Sequence, residues 1–201
     1  MMDITAFKEV LSEQRPAIFS SFEKSDLSKE EMKALDSPIT DRISSRSELE
    51  AISDSQAEGL QERGYSDKVI EAIGSKQEAD IYCDANLRCE VVNGKDALVR
   101  SDIDLDIRDD FGKTNLERME SGKAPIDSNG RPYELHHIGQ TSDAPLAELT
   151  KAEHMSNGND IVLHDKQKES EIDRSEFGKE RAEHWKARAE AINAELENRV
   201  V

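Results

Sequence analysis

Apolar positions recur at helical spacing through the first part of the chain. Ile4, Phe7, Val10 and Leu11 share one face of a predicted helix that Pro16 ends or redirects. Ser28, three residues before Glu31, gives a capping-box signal for a helix carrying Met32 and Leu35. Ser66 and Ser75 precede Val69-Ile70-Ile73 and Ala79-Ile81-Tyr82, two further helices with Gly74 as the break between them. The stretch from Ser37 to Ser55, rich in serine and charged side chains, reads as connectors.

The period changes near Leu87. Cys89-Glu90-Val91-Val92, Asn93-Gly94 and Ala97-Leu98-Val99 read as a β-hairpin, because Asn-Gly supplies the positive φ angles of a tight turn. Asp102, Asp104, Asp106, Asp109 and Asp110 follow. They lack the glycine and terminal glutamate of an EF-hand, so a solvated acidic loop is expected rather than a calcium site. Thr114 to Ser121 predicts a short helix ended at Gly122. A second hairpin is expected to pair Ala124-Pro125-Ile126 with Arg131 to His137 across the turn Asp127-Ser128-Asn129-Gly130. After a loop through Gly139 and Pro145, Thr150 and Glu153 form a capping box that places His154 in a short helix stopped by Gly158. A long helix from about Arg174 closes the chain, with Phe177, Trp185, Ala189, Ile192 and Leu196 on one stripe.

Composition narrows the function classes. The 201 residues are 35% hydrophobic, 35% charged and 4% aromatic, so any core is built mainly from Leu, Ile, Val and Ala. No apolar run approaches the roughly 20 residues needed to span a bilayer, and no basic-then-apolar leader follows Met1. Cys83 and Cys89 are too few for a four-thiolate zinc site or a disulfide scaffold and are expected to be reduced and structural. A net charge of −17 argues against binding nucleic acid through bulk charge. The acidity is uneven, however. From Arg131 onward there are 10 basic and 15 acidic side chains, which leaves −12 of the −17 upstream.

Four of the five histidines lie between positions 136 and 164. Imidazole both holds transition metals and moves protons near neutral pH, so this crowding points to a site rather than to scattered structural residues. His184, outside the group, is expected to be structural. Successive strand residues face opposite ways, so His136 and His137 should not share one task. One suits a metal and its neighbour an attacking water.

The ordered set Glu134-Leu135-His136-His137-Ile138-Gly139-Gln140, Pro145 to Thr150, Glu153-His154, Gly158-Asn159 and Leu163-His164 resembles the LHH nucleases of the HNH/endonuclease VII superfamily, toxin modules of bacterial polymorphic toxin systems. Asp110 to Met119, Ala124-Pro125-Ile126 and the tail with Ser170, Arg174, Phe177, Arg181 and Trp185 extend the likeness over the second half of the chain. The resemblance implies an α+β fold: a mainly helical region over residues 1–85, then a ββα-metal nuclease domain over 86–201 with a long terminal helix. It also implies one divalent ion, Mg, Mn, Zn or Ni, held by His136, with His137 as general base. His154 and His164 are further ligands or help to activate water. Many HNH enzymes orient the base with an asparagine; none stands at the expected distance before His154, leaving Gln140 or Asn159 for that role.

Arg118, Arg131 and Arg174 are the preferred phosphate contacts among many basic residues interleaved with glutamates, and Trp185 is expected in the core. The function implied is a metal-dependent DNA endonuclease serving as an antibacterial toxin or effector. Such a protein would be made in the bacterial cytoplasm, exported by a specialised system and active in the target-cell cytoplasm. Its partners would be DNA, a cognate immunity protein and a delivery chaperone or secretion component docking on the N-terminal region. The alternatives are an RNA-cleaving toxin and a non-catalytic zinc-stabilised interaction module.

Overall fold

The computed structural model describes residues 46–167 and 171–199. The expected helices around Ile4 to Leu11 and Met32 to Leu35 lie outside the described residues. Three helices come first: α1 (Asp54–Glu62), α2 (Asp67–Ala72) and α3 (Lys76–Asp84). The side chains of Ser66 and Ser75 cap α2 and α3 as the sequence predicts. Helix α1 begins inside the stretch expected to be connector, because Ser53 and Gln56 form a reciprocal capping box.

Strands β1 (Arg88–Val92) and β2 (Lys95–Val99) form the predicted hairpin, with Asn93 at φ 49° and Gly94 at φ 76°. The second hairpin differs from its expectation. Residues 124–126 meet the following segment at the single bridge Ile126↔Pro132, made by Asp127 N to Arg131 O and Tyr133 N to Pro125 O, and Pro125 has no N–H to add the next rung. Strand β3 (Glu134–His137) pairs instead with β4 (Leu146–Leu149), a stretch that carries Pro145 just before it and was not expected as a strand. The sheet order is β1-β2-β4-β3, with β2 and β4 parallel and the other neighbours antiparallel.

Period-two alternation gives the sheet two buried faces. Leu98, Ala147 and Leu149 pack against Leu60, Val69, Ile73 and Tyr82 of the first three helices and against Leu163. Ala97, Val99, Leu135 and Leu146 pack against Met119 of α4 (Asn115–Glu120) and Trp185 and Ala189 of α7 (Arg174–Arg199). Between β4 and α7 lie α5 (Lys151–Met155) and α6 (Asn159–Leu163). Trp185 is a core residue, as expected. The acidic loop before α4 uses its carboxylates locally: Asp102 pairs with Arg100, and Asp109 accepts from Phe111 and Lys113 backbone and from Arg118. Cys83 and Cys89 are free and half-buried.

A buried polar network joins the sheet to α7. The fully buried Glu148 carboxylate accepts from Arg100 N at 2.8 Å, His184 Nε2 at 2.8 Å and Arg188 Nε at 2.9 Å. His184 is thus a structural histidine. A charge buried in this way is tolerated only while its partners remain. Replacing Glu148 by Ala should therefore lower unfolding stability by about 3–5 kcal/mol, measured by denaturant titration. A loss below about 1 kcal/mol would show the network to be dispensable.

Candidate metal centre

Strand β3 ends in His136 and His137, and alternation sends their rings to opposite faces of the sheet. His136 pairs in register with Ala147, on the face of the first three helices, while His137 faces α7. The chain must turn at once after the pair. Gly139 adopts φ +77°, and a Cβ there would lie 2.7 Å from the Ala72 carbonyl oxygen, so no larger residue fits. Helix α5 delivers His154. Its capping box joins Thr150 to Glu153, and Arg100 Nη1 holds the same Glu153 carboxylate at 2.6 Å. His164 is the residue that caps the end of α6.

These three elements bring three rings together. His154 Nε2 lies 3.1 Å from His164 Nε2 and 3.3 Å from His136 Nδ1, and the three ligand atoms all fall within 4.8 Å of one another. The far nitrogens are held by acids. His154 Nδ1 meets Glu134 Oε2 at 2.5 Å, and His164 Nδ1 meets Asp160 Oδ1 at 3.1 Å. A carboxylate only accepts, so each Nδ1 carries a proton, and in the neutral ring Nε2 is then the atom that offers a lone pair. At 3.1 Å the two Nε2 atoms are close enough to share a proton or to bind one cation together.

The donor set fits a divalent transition metal. Metal–nitrogen bonds of about 2.0–2.1 Å in tetrahedral geometry place ligand atoms about 3.3 Å apart, close to the two spacings that His154 makes. Ligand imidazoles must be neutral, and the surroundings of His136 and His164 favour that form. Burial holds His136 well below the ordinary histidine range, helped by His154, His164 and His137. Burial and then His154 lower His164. The Glu134 and Asp160 carboxylates are the outer partners that orient ligating histidines in metal sites. All-nitrogen donors suit Zn or Ni better than Mg, which prefers oxygen.

His137 has a different environment. Its ring is buried against Phe177, with centroids 4.4 Å apart, and its Nε2 donates to Glu180 Oε2 at 2.8 Å. Lys95 pairs with the other Glu180 oxygen. His137 Nδ1 is buried with no hydrogen-bond partner among the described residues. Burial pushes its pKa down, against the pull of Glu180, which favours the neutral, proton-accepting form.

Gln140 and Asn159, the expected orienting residues, are placed elsewhere. Gln140 Oε1 accepts from Asp165 N at 2.6 Å, and Asn159 Nδ2 donates to Glu153 O at 2.6 Å. Each therefore braces the backbone beside a clustered histidine, His164 or His154. The side chain that holds His137 is Glu180, 43 residues away and one of many alternating charges on α7, so no local signal marks it. Glu134 and Asp160 were legible in principle. Glu134 is two residues before His136 on the same strand face, and Asp160 is one helical turn before His164.

Of the expected phosphate contacts, Arg118 is already engaged. Its guanidinium donates to Ala124 O at 3.0 Å and to Asp109 Oδ2 at 2.5 Å, bracing α4. Arg131 is exposed on the turn after Asp127, and Arg174 is exposed at the start of α7. Calorimetry should find Zn or Ni bound more tightly than Mg. Glu134→Gln should weaken Zn binding by about 10–100-fold, as loss of an outer carboxylate does. Equal affinity in that variant would remove the carboxylate's assigned role.

Comparison with known proteins agrees with this geometry. Residues 114–191 match the family model described as LHH, a nuclease of the HNH/ENDO VII superfamily with conserved LHH. No solved structure matches the chain. The matched stretch contains β3, the three clustered histidines, His137 and Glu180. Residues 114–191 are therefore similar to the LHH nucleases of the HNH/ENDO VII superfamily.

Proposed function

We propose that the protein is a metal-dependent endonuclease that hydrolyses DNA and acts as an antibacterial toxin. The observation that carries this reading is the triad of imidazoles His136, His154 and His164, the last two backed by carboxylates, one residue from a buried histidine held by an acid. A divalent ion bound by the triad supplies Lewis acidity toward the phosphoryl oxygen and the leaving group.

The remaining chemistry belongs to the chain. His137 donates Nε2–H to Glu180, which leaves Nδ1 as the basic atom. As general base, Nδ1 takes the proton of the attacking water, and the Glu180 carboxylate stabilises the imidazolium that results. Because water is the nucleophile, the reaction needs no 2′-hydroxyl, and DNA is a competent substrate. Arg131 and Arg174, both exposed, are suited to phosphates farther along the strand.

The toxin reading rests on the likeness to polymorphic toxin modules. It implies an immunity protein in the producing cell, specialised export with the region 1–85 engaging a chaperone or secretion component, and action in the cytoplasm of the target. Among the described residues, no helix is long and apolar enough to cross a membrane.

Plasmid nicking is expected with Mn, Zn or Ni and to stop on addition of a chelator. Cleavage of total RNA faster than of plasmid would replace DNA by RNA as substrate. Loss of melting temperature on chelation, with no nucleic acid cut under any metal, would point instead to a zinc-stabilised interaction module. His137→Ala should lower the cleavage rate by about 10²–10⁴-fold with an unchanged circular dichroism spectrum. A near-normal rate in that variant would remove the base assignment. Expression of the wild-type chain in a bacterium without an immunity partner should arrest growth, and His137→Ala should relieve the arrest.

A further inference from the structure

Two clefts of about 470 Å³ flank the histidines, and they differ in charge. The cleft beside His137 is walled by Asp173, Glu176, Glu180 and Glu183 together with Lys179, and is the more acidic of the two. The other cleft shares Glu134 and His154 with the metal centre and is closed on its far side by Phe177, Gly178 and Arg181 of α7, with Tyr133 opposite. Its volume lies within the range of small-ligand sites. The Arg181 guanidinium sits 5.1 Å over the Phe177 ring, an aromatic and cationic pair on the cleft wall.

Gly178 is the telling residue. Glycine is the poorest non-proline residue for a helix interior, yet it occupies the first part of α7. Packing does not require it there, because a Cβ at Gly178 would meet nothing within 4 Å. What the missing side chain preserves is open space in the cleft. A void kept open at the expense of helix propensity, walled by an aromatic ring and a cation, and continuous with the metal centre through His154, has the chemistry of a nucleotide subsite.

We propose that this cleft receives the base of a nucleotide next to the scissile phosphate, stacked at the Phe177 and Arg181 wall, while its phosphate lies toward His154. The proposal deepens the nuclease reading and rests on it for the identity of the ligand. Gly178 acts as a specificity-determining position, because its side chain sets the room available to the base.

The test is nucleotide binding by the full chain, measured by calorimetry with thymidine 5′-monophosphate and with ribose 5-phosphate as the base-free probe. Thymidine 5′-monophosphate should bind about 10-fold or more tightly than ribose 5-phosphate, as expected for a stacked base. Gly178→Leu should weaken thymidine 5′-monophosphate binding by a similar factor, with zinc affinity unchanged and a melting temperature equal to or above the wild type. Arg181→Ala, at an exposed position, should weaken it too, and it carries the test if Gly178→Leu lowers the melting temperature. Equal binding of the two probes to the wild type would overturn the subsite, as would nucleotide binding unaffected by both variants. Plasmid nicking separates the two ideas. Binding that depends on Gly178 or Arg181 in a protein that cuts nothing keeps the subsite and ends the nuclease reading. Wild-type nicking with binding indifferent to both variants does the reverse.

Discussion

Lone pairs on neighbouring imidazoles repel, and the fold forces such an encounter. His136, His154 and His164 come from a strand, a capped helix and the end of the next helix, and Glu134 and Asp160 pin the outer nitrogens of two of them so that their inner ones are bare. Burial disfavours the imidazolium form of His136 and His164. A cluster of this kind is suited to an electron-pair acceptor at its centre.

The surrounding architecture is mainly a polar scaffold set into a small apolar one. Arg100 ties Glu153, the residue before His154, to Asp102, while its backbone carbonyl accepts from Arg188 Nη2 at 2.7 Å. Arg188 and His184 in turn hold Glu148 on β4, the strand that pairs with the one carrying His136. Side chains on α7 are thus coupled to the helix that bears His154 through directional bonds. In a chain with so few aromatic residues, such bonds position a site more tightly than apolar packing alone.

The overall acidity of the chain and its affiliation with nucleases are reconciled by location. In the 102–110 loop the carboxylates of Asp102, Asp104 and Asp109 are occupied by Arg100, Arg118 and backbone N–H groups. Glu134, Asp160 and Glu180 hold histidine rings. The strongly acidic wall lies beside His137, whereas the cleft leading to His154 carries Arg181. Charge sign therefore gives the site a preferred side of approach for a polyanion.

The local elements could be read from the residues themselves. Serine and threonine caps, the Asn93-Gly94 turn and the alternation within Leu135-His136-His137 act over a few positions, so their consequences were visible without a fold. So was the crowding of histidines, and with it the superfamily. Neighbours distant in the chain were not visible. Strand β4 escaped because its buried Glu148 makes sense only beside Arg188 and His184, and the expected partner of β3 was wrong because Pro125 has no N–H to carry that pairing past one bridge. Glu180 escaped because nothing in a helix of alternating charges tells which glutamate will meet a ring 43 residues earlier. Sequence alone determined the local elements and the crowding of histidines, since caps, turns and alternation are short-range effects. Tertiary structure alone decided which of them touch, since pairing across the sheet and against α7 depends on burial that no local pattern encodes.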